Sequence, residues 1–304
     1  MTTLLTRPNP SLTSDDPRGS TRRRRGSGAD LWNASRLTYL TLVAACLVSL
    51  FPIYWMVVVA TRSNDAMGQV PPPVLPGGEL AGNAGRLLGN PDANFLTGLL
   101  NSAIVASCVT VSVVFFSSLA GFAFAKLRFR GRNKLLLMII ATMAVPTQLG
   151  VIPLYLLMTR LGWNNHLQAV IVPTLVTGFG VFLMRQYADQ AVADELIEAA
   201  RMDGCQTLRI YWNVVLPALR PAAAVLGLLT FMTTWNDFIW PYAVLNDPQN
   251  PTVQLSLRAL SQGYYQDMSQ IFTGTAIATV PLLVVFVVFG RQIVGGIMEG
   301  AVKA

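Results

Sequence analysis

The sequence is short of charge, histidine, lysine and cysteine, and each shortage closes off a kind of chemistry. Only 12 % of the 304 residues are Asp, Glu, Lys or Arg, about half the share usual in a soluble domain. A chain so poor in charge, and 53 % apolar, is built for a bilayer. His166 is the one histidine, so the chain holds neither a two-His metal site nor an HExxH zinc helix. His166 is expected as an ordinary polar residue in a short outer turn. The three lysines, Lys126, Lys134 and Lys303, follow Ala, Asn and Val, whereas a phosphate-cradling P-loop needs Gly directly before its Lys. The chain therefore cannot bind ATP in that way. Cys46, Cys108 and Cys205 are scattered, and no disulfide or zinc framework follows from them. There is no GxSxG. An intramembrane hydrolase would also want paired ionisable groups at depth, where Asp237 is the one eligible side chain.

What the chain does have is six long apolar runs, at residues 38–60, 96–125, 135–158, 167–187, 222–245 and 271–295. Each is near or above the roughly 20 helical residues that cross a hydrocarbon core. Pro146, Pro153, Pro173 and Pro281 fall inside them without disqualifying them, because neighbouring helices can satisfy the backbone groups a proline frees. The first run is too long and too far from the start for a cleaved leader, and is expected as a retained span. Residues 1–36, rich in Ser, Thr, Pro, Asp and Arg, are expected to form a mobile basic cytoplasmic tail.

Basic residues set the orientation. A cytoplasmic N-terminus puts 18 of the 22 Lys and Arg inside, leaving Arg62, Arg86, Arg160 and Arg258 outside. The net charge of +7 thus reflects topology, and the Arg22–Arg25 cluster fits anionic lipid rather than nucleic acid. The GFG at 178–180 reads as close helix packing.

Between the fourth and fifth runs lies EAARMDGCQTLRIYWNVVLPALRP, residues 198–221. From Ala193 the sequence favours a helix with acidic residues in its first turn and Asp194 as a cap. Gly204 supplies the left-handed position that ends it. Thr207 can cap a second helix whose Leu208, Tyr211, Val214 and Val215 share a face, and Pro217 or Pro221 starts the next one. A surface loop that merely joins two spans would explain the tripeptide EAA alone. The spacing of Glu198, Ala199, Ala200, Asp203, Gly204, Leu216, Pro217 and Pro221 narrows the choice.

That spacing resembles the EAA loop of ABC importer permeases. From about Leu37 onward the chain resembles the carbohydrate-uptake, MalG-type branch of that family, through VPTQLGVIPLY at 145–155, Met184–Gln186, WNDFIWP at 235–241 and the terminal EGAVKA. Cys205 departs from the usual small Ala. The resemblance implies an all-α polytopic permease of the MetI-like, type I importer fold: six transmembrane helices in a bacterial plasma membrane, both termini cytoplasmic, residues 37–304 forming the transmembrane domain. It implies a second homologous permease, an ATPase homodimer carrying the ATP and Mg, and an extracellular sugar-binding protein as partners, with no cofactor in this chain.

By the same resemblance, the 193–221 loop is a coupling element. Glu198, Ala199, Ala200, Asp203, Gly204, Leu216 and Pro217 would meet the ATPase, together with Gly300, Ala301, Val302 and Lys303 of the tail. Trp235, Asn236 and Asp237, with Gln148 and Tyr155, are candidates for the translocation path. A polar residue within a span is costly unless it faces a cavity or partner, although the tryptophans also suit an interfacial belt. The outer segments 61–95 and 246–270, including Gly263, Tyr264 and Tyr265, would face the binding protein. The cargo implied is a di- or oligosaccharide, the last third resembling permeases for cello-oligosaccharides or other β-glucosides. The rival expectation, an ion-coupled secondary transporter, would want internal repeats and midplane ionisable groups, and the chain offers Asp237 alone.

Overall fold

The computed structural model describes residues 35–262 and 266–301, with side chains described as far as Gly290 in the last helix. Fifteen α-helices, and no strand, are found among the described residues. They are α1 Arg36–Ala60, α2 Asn64–Met67, α3 Leu80–Leu88, α4 Phe95–Lys126, α5 Arg132–Met143, α6 Val151–Arg160, α7 Leu167–Ile171 and α8 Gly178–Ala191. The rest are α9 Asp194–Met202, α10 Thr207–Ile210, α11 Leu216–Ala218, α12 Arg220–Trp235, α13 Ile239–Val244, α14 Val253–Leu260 and α15 Met268–Ala301. Most of the expected basic tail, residues 1–34, lies outside the described residues, as do 263–265 and 302–304.

The chain divides into two units, 1–51 and 52–304. The described part of the first is the N-terminal portion of α1, whose Leu37, Leu40, Leu47 and Phe51 are all more than half exposed, as suits lipid contact. The second unit is organised around α4, which packs on α8 and α12, with α15 beyond α12. At 32 residues α4 is about 48 Å long, more than a bilayer core requires. The α4–α8 crossing depends on Gly121: a Cβ there would stand 2.7 Å from the Met184 carbonyl carbon and 2.8 Å from the Arg185 nitrogen. At the other end of α8, Gly178 and Gly180 approach Ile139 and Ser117, so the 178–180 stretch serves helix packing as expected. Thr177 caps α8 by accepting the Gly180 N–H at 3.1 Å.

Three of the expected spans are not single helices. The run at 135–158 breaks at residues 144–146, where α5 and the following 3-10 turn and α6 meet at 91°. Pro146 lacks the N–H that would continue the α5 ladder and disfavours a helical Val145. The run at 167–187 bends by 40° between the 3-10 turn Val172–Thr174, which contains Pro173, and α8. The run at 222–245 ends its first helix at Trp235 and resumes at Ile239. Pro241 also lacks the N–H that would reach the Asp237 carbonyl across the gap. Residues 207–218 instead pair with α12 as a broken span bent by 76°.

The two long outer segments are ordered against each other. Arg86 donates to Ser269 at 3.1 Å and pairs with Asp267 at 3.7 Å. Asn101 donates to Asn250 Oδ1 and to the Pro251 carbonyl, each at 2.8 Å. Asn165, at φ +62, accepts from the Asn246 and Asp247 amides at 2.6 and 2.9 Å. Burial pushes the Asp267 carboxyl up, but hydrogen bonds from Ser269 and Gln270 and the Arg86 charge hold it below the usual carboxylate range. His166 sits in the turn before α7, its Nδ1 2.9 Å from the Asn164 carbonyl oxygen.

Candidate functional site

Two regions bring together the residues that the sequence singles out: the loop 193–221 and a cavity beside α12. The loop begins with α9, whose first turn carries Asp194 and Glu195 and whose last carries Arg201, charges that suit the helix dipole. Its end is a Schellman turn. Gly204, at φ +75, donates to the Arg201 carbonyl and Cys205 to the Ala200 carbonyl, both at 2.9 Å. These two bonds satisfy carbonyls that the helix end would leave open. A Cβ on Gly204 would meet nothing within 4 Å, so backbone handedness, not space, is what calls for glycine there.

The expected caps are corrected. Asp194 is the first helical residue after Ala193 and makes no cap bond; its carboxylate instead takes Lys126 Nζ at 2.7 Å. That hydrogen bond, then the Lys126 charge, holds the Asp194 carboxyl below its usual range. Thr207 likewise follows the true N-cap, Gln206, and does not cap. The expected buried face also shifts. Leu208 is 64 % exposed, while Ile210, Tyr211, Val215 and Leu219 are buried. A π-helical turn follows over Tyr211–Val215, which inserts a residue into the helical period. Pro217 and Pro221 each stand in the first turn of a helix, α11 and α12, so both prolines do what either was expected to do.

Two polar contacts, beside a stacking of Trp212 on Phe115 at 6.3 Å, fix the loop to α4. One is Lys126–Asp194; the other is the buried 2.7 Å bond between Tyr211 Oη and Ser118 Oγ, with the Tyr211 ring beside Phe122 at 6.1 Å. Ser118 and Lys126 are eight residues apart, about 12 Å along the helix. Held this way, α9 turns Ile197 into the core and Ala200 partly inward against it. Ala200 is thus half-buried. Glu198, Ala199, Asp203 and Gly204 are exposed, and beside them Leu196 and Met202 are 54 % and 88 % exposed. Leu216 and Pro217 are half-buried, Leu216 packing on the core. An exposed methionine and leucine on a short polar helix make a surface able to bind another protein. Sequence reasoning missed both, although their spacing along α9 was readable.

The cavity measures about 750 Å3, within the range of small-molecule sites. Helix breaks form it: Thr147, Gln148 and Gly150 come from the first break, Thr174 and Thr177 from the second, and Asp237 from the third. The helix α12 adds Thr230, Thr233 and Thr234, and α8 adds Phe179. Of the five path candidates, Gln148 and Asp237 line the cavity; Trp235, Asn236 and Tyr155 do not. Trp235 is buried, donating from Nε1 to the Ala278 carbonyl at 3.2 Å and stacked on Phe231 at 5.6 Å. Asn236 closes α12 by donating to the Met232 carbonyl at 2.8 Å. Tyr155 packs on the core. The six threonines went unnoticed in the sequence, though 230, 233 and 234 share a helix face.

Among the tail candidates, Gly300 and Ala301 continue α15, while Val302 and Lys303 lie outside the described residues, as do Gly263, Tyr264 and Tyr265.

The chain is similar to several known proteins. Residues 113–295 match the family of binding-protein-dependent transport system inner membrane components. The chain is 33 % identical to the arabinooligosaccharides transport system permease protein AraQ of Halalkalibacterium halodurans, over 67 % of this chain and 72 % of that one. It is 32 % identical to the lactose transport system permease protein LacG of Rhizobium radiobacter, over 87 % and 95 %. Identity to the sn-glycerol-3-phosphate transport system permease protein UgpE of Yersinia enterocolitica is 28 %, over 86 % and 95 %. In fold it matches a chain of a bacterial ABC transporter involved in the import of alginate, with a TM-score of 0.74 and 24 % identity over 86 % of this chain and 99 % of that one. None of these favours the ion-coupled reading. A transport permease rather than an enzyme, of the kind that works with a binding protein and an ATPase, the chain belongs to the inner membrane components of binding-protein-dependent ABC importers and spans the cytoplasmic membrane several times.

Proposed function

We propose that this permease carries an uncharged di- or oligosaccharide through the cavity beside α12. The cavity lining carries the argument: six threonines, Gln148 and Asp237 stand among apolar side chains such as Leu154, Leu226 and Trp240, and no Lys, Arg or His lines it among the described residues. Hydroxyl and amide groups match a sugar's own donors and acceptors, whereas a phosphorylated or uronate cargo would want a cation beside its charge. The names of AraQ and LacG, with neutral sugars, fit this better than that of UgpE. A second homologous permease closes the far side of the path, an external binding protein delivers the sugar, and an ATPase homodimer binds ATP and Mg and hydrolyses the ATP.

The exposed side of α9, with Glu198, Ala199, Asp203 and the neighbouring Leu196 and Met202, docks on that ATPase. Residues 300–303 add a smaller contact. ATPase closure then moves α4 through the Lys126–Asp194 and Tyr211–Ser118 links, and the cavity alternates between its two sides. The test is uptake by the assembled transporter in proteoliposomes, with its binding protein, offered lactose, an arabino-oligosaccharide, a cello-oligosaccharide and glycerol 3-phosphate. A neutral oligosaccharide is expected to enter and glycerol 3-phosphate to be refused; the reverse pattern overturns the reading.

A further inference from the structure

The hairpin joining α4 to α5 reads KLRFRGRNK, residues 126–134, with five cations and no acid. The first of them, Lys126, is neutralised by Asp194. Arg128 adds only the smallest of the contributions that lower that carboxyl. No ion pair involves Arg128, Arg132 or Lys134 among the described residues, and these three converge on one open cavity of about 430 Å3, also lined by Phe129, Gly131 and Asn133. Arg132 is half-buried and held from behind by donating to the Leu127 carbonyl at 3.3 Å. Three unpaired cations around a cavity without a carboxylate leave a local positive potential that favours an anion.

The surroundings identify the kind of anion. Directly after the cavity, α5 exposes Leu135, Leu137 and Met138 at 46, 67 and 66 %, and Phe129, 40 % exposed, rests on Phe124. A pocket for a phosphate thus adjoins a strip fit for acyl chains, at the cytoplasmic end of two spans. A soluble phosphate has no use for such a strip.

We propose that this hairpin is a binding site for the headgroup of an anionic phospholipid, Arg128, Arg132 and Lys134 holding the phosphate while the chains lie along Leu135, Leu137 and Met138. The site is independent of the sugar and coupling assignments. It differs from the general preference of inner loops for basic residues in being local: three particular cations matter and others do not.

The test uses the assembled transporter in nanodiscs of phosphatidylcholine with a minor fraction of phosphatidylglycerol, with bound lipid counted by native mass spectrometry. Phosphatidylglycerol is expected to be retained on the wild type, and Arg128→Gln with Arg132→Gln and Lys134→Gln to weaken retention about tenfold or more. Changing Arg201, Arg209 and Arg220, all exposed, to Gln removes the same charge elsewhere and is expected to leave retention unchanged. Arg128→Lys with Arg132→Lys should keep most of it, which guards against misfolding as the cause. Equal losses in the two neutralised variants, no retention by the wild type, or displacement of the lipid by inorganic phosphate would each overturn the proposal.

Discussion

The loop 193–221 and the cavity beside α12 are built in opposite ways. The loop's shape is local: a Schellman turn at Gly204, first-turn prolines at 217 and 221, and two links to a single helix, α4. The cavity is assembled from three helix breaks about 90 residues apart at the extremes, between Thr147 and Asp237, and none of its walls exists without the others. A surface that must transmit force is best made stiff and contiguous. A site that must open and close is best placed where helices are already interrupted and the backbone can turn.

That contrast predicts two kinds of variant: changes in the loop should alter how much sugar moves per ATP, and changes in the cavity should alter sugar affinity. The largest effect is expected from Gly204→Val. A β-branched residue at φ +75 costs roughly 1–2 kcal/mol in handedness alone, and relief of that strain moves α9. Uptake by the assembled transporter should fall at least about tenfold while ATP hydrolysis continues and the protein still inserts. Gly204→Asn, which tolerates the left-handed region better, should restore most of it. Normal sugar uptake per ATP in the valine variant would break the comparison on the loop side.

A smaller change is expected on removing the α4 link. The Lys126 side chain is only 6 % exposed and that of Asp194 is 77 % exposed, so the pair is solvent-screened and matters for position more than for stability. Lys126→Met should lower the transport-to-ATPase ratio a few-fold with little change in melting temperature. Because the Asp194 pKa is depressed in the folded protein, the pair is fully present above the ordinary carboxylate value of about 4 and is lost as pH falls through the folded value. Melting curves of wild type and Asp194→Asn should therefore differ by a constant small amount at neutral pH and converge only in acid.

On the cavity side, Thr230→Val with Thr233→Val keeps shape and removes two hydroxyls from the lining. At roughly 1 kcal/mol for each bond lost, the KM for sugar should rise several-fold with unchanged ATP hydrolysed per sugar. A changed stoichiometry here would show that cavity and loop are not separable.

How much was readable in advance follows the same division. Gly204 and the two prolines act through their own backbones, so sequence announces them. Asp194 does not cap, because capping competes with partners that a sequence does not display: Lys126 lies 68 residues away and takes the Asp194 carboxylate. Thr207 cedes the cap position to Gln206. The π turn at Tyr211–Val215 was not legible in the sequence, since periodicity arguments assume an unbroken 3.6-residue repeat. Trp235 resembled a path residue by composition and proved a packing residue, its indole N–H committed to Ala278.

The sequence by itself determined that the chain lives in a membrane, where its apolar runs lie, and that it has no P-loop of its own. These depend on transfer free energy and on charge counted along the chain, and both are properties of composition. Tertiary structure alone decided where the spans break, which alanine of Glu198–Ala200 faces outward, and which polar residues meet around a cavity. Those outcomes turn on what stands opposite each residue in space. Proline removes a hydrogen bond wherever it occurs, but only the neighbouring helices decide whether the freed backbone bends or stays straight.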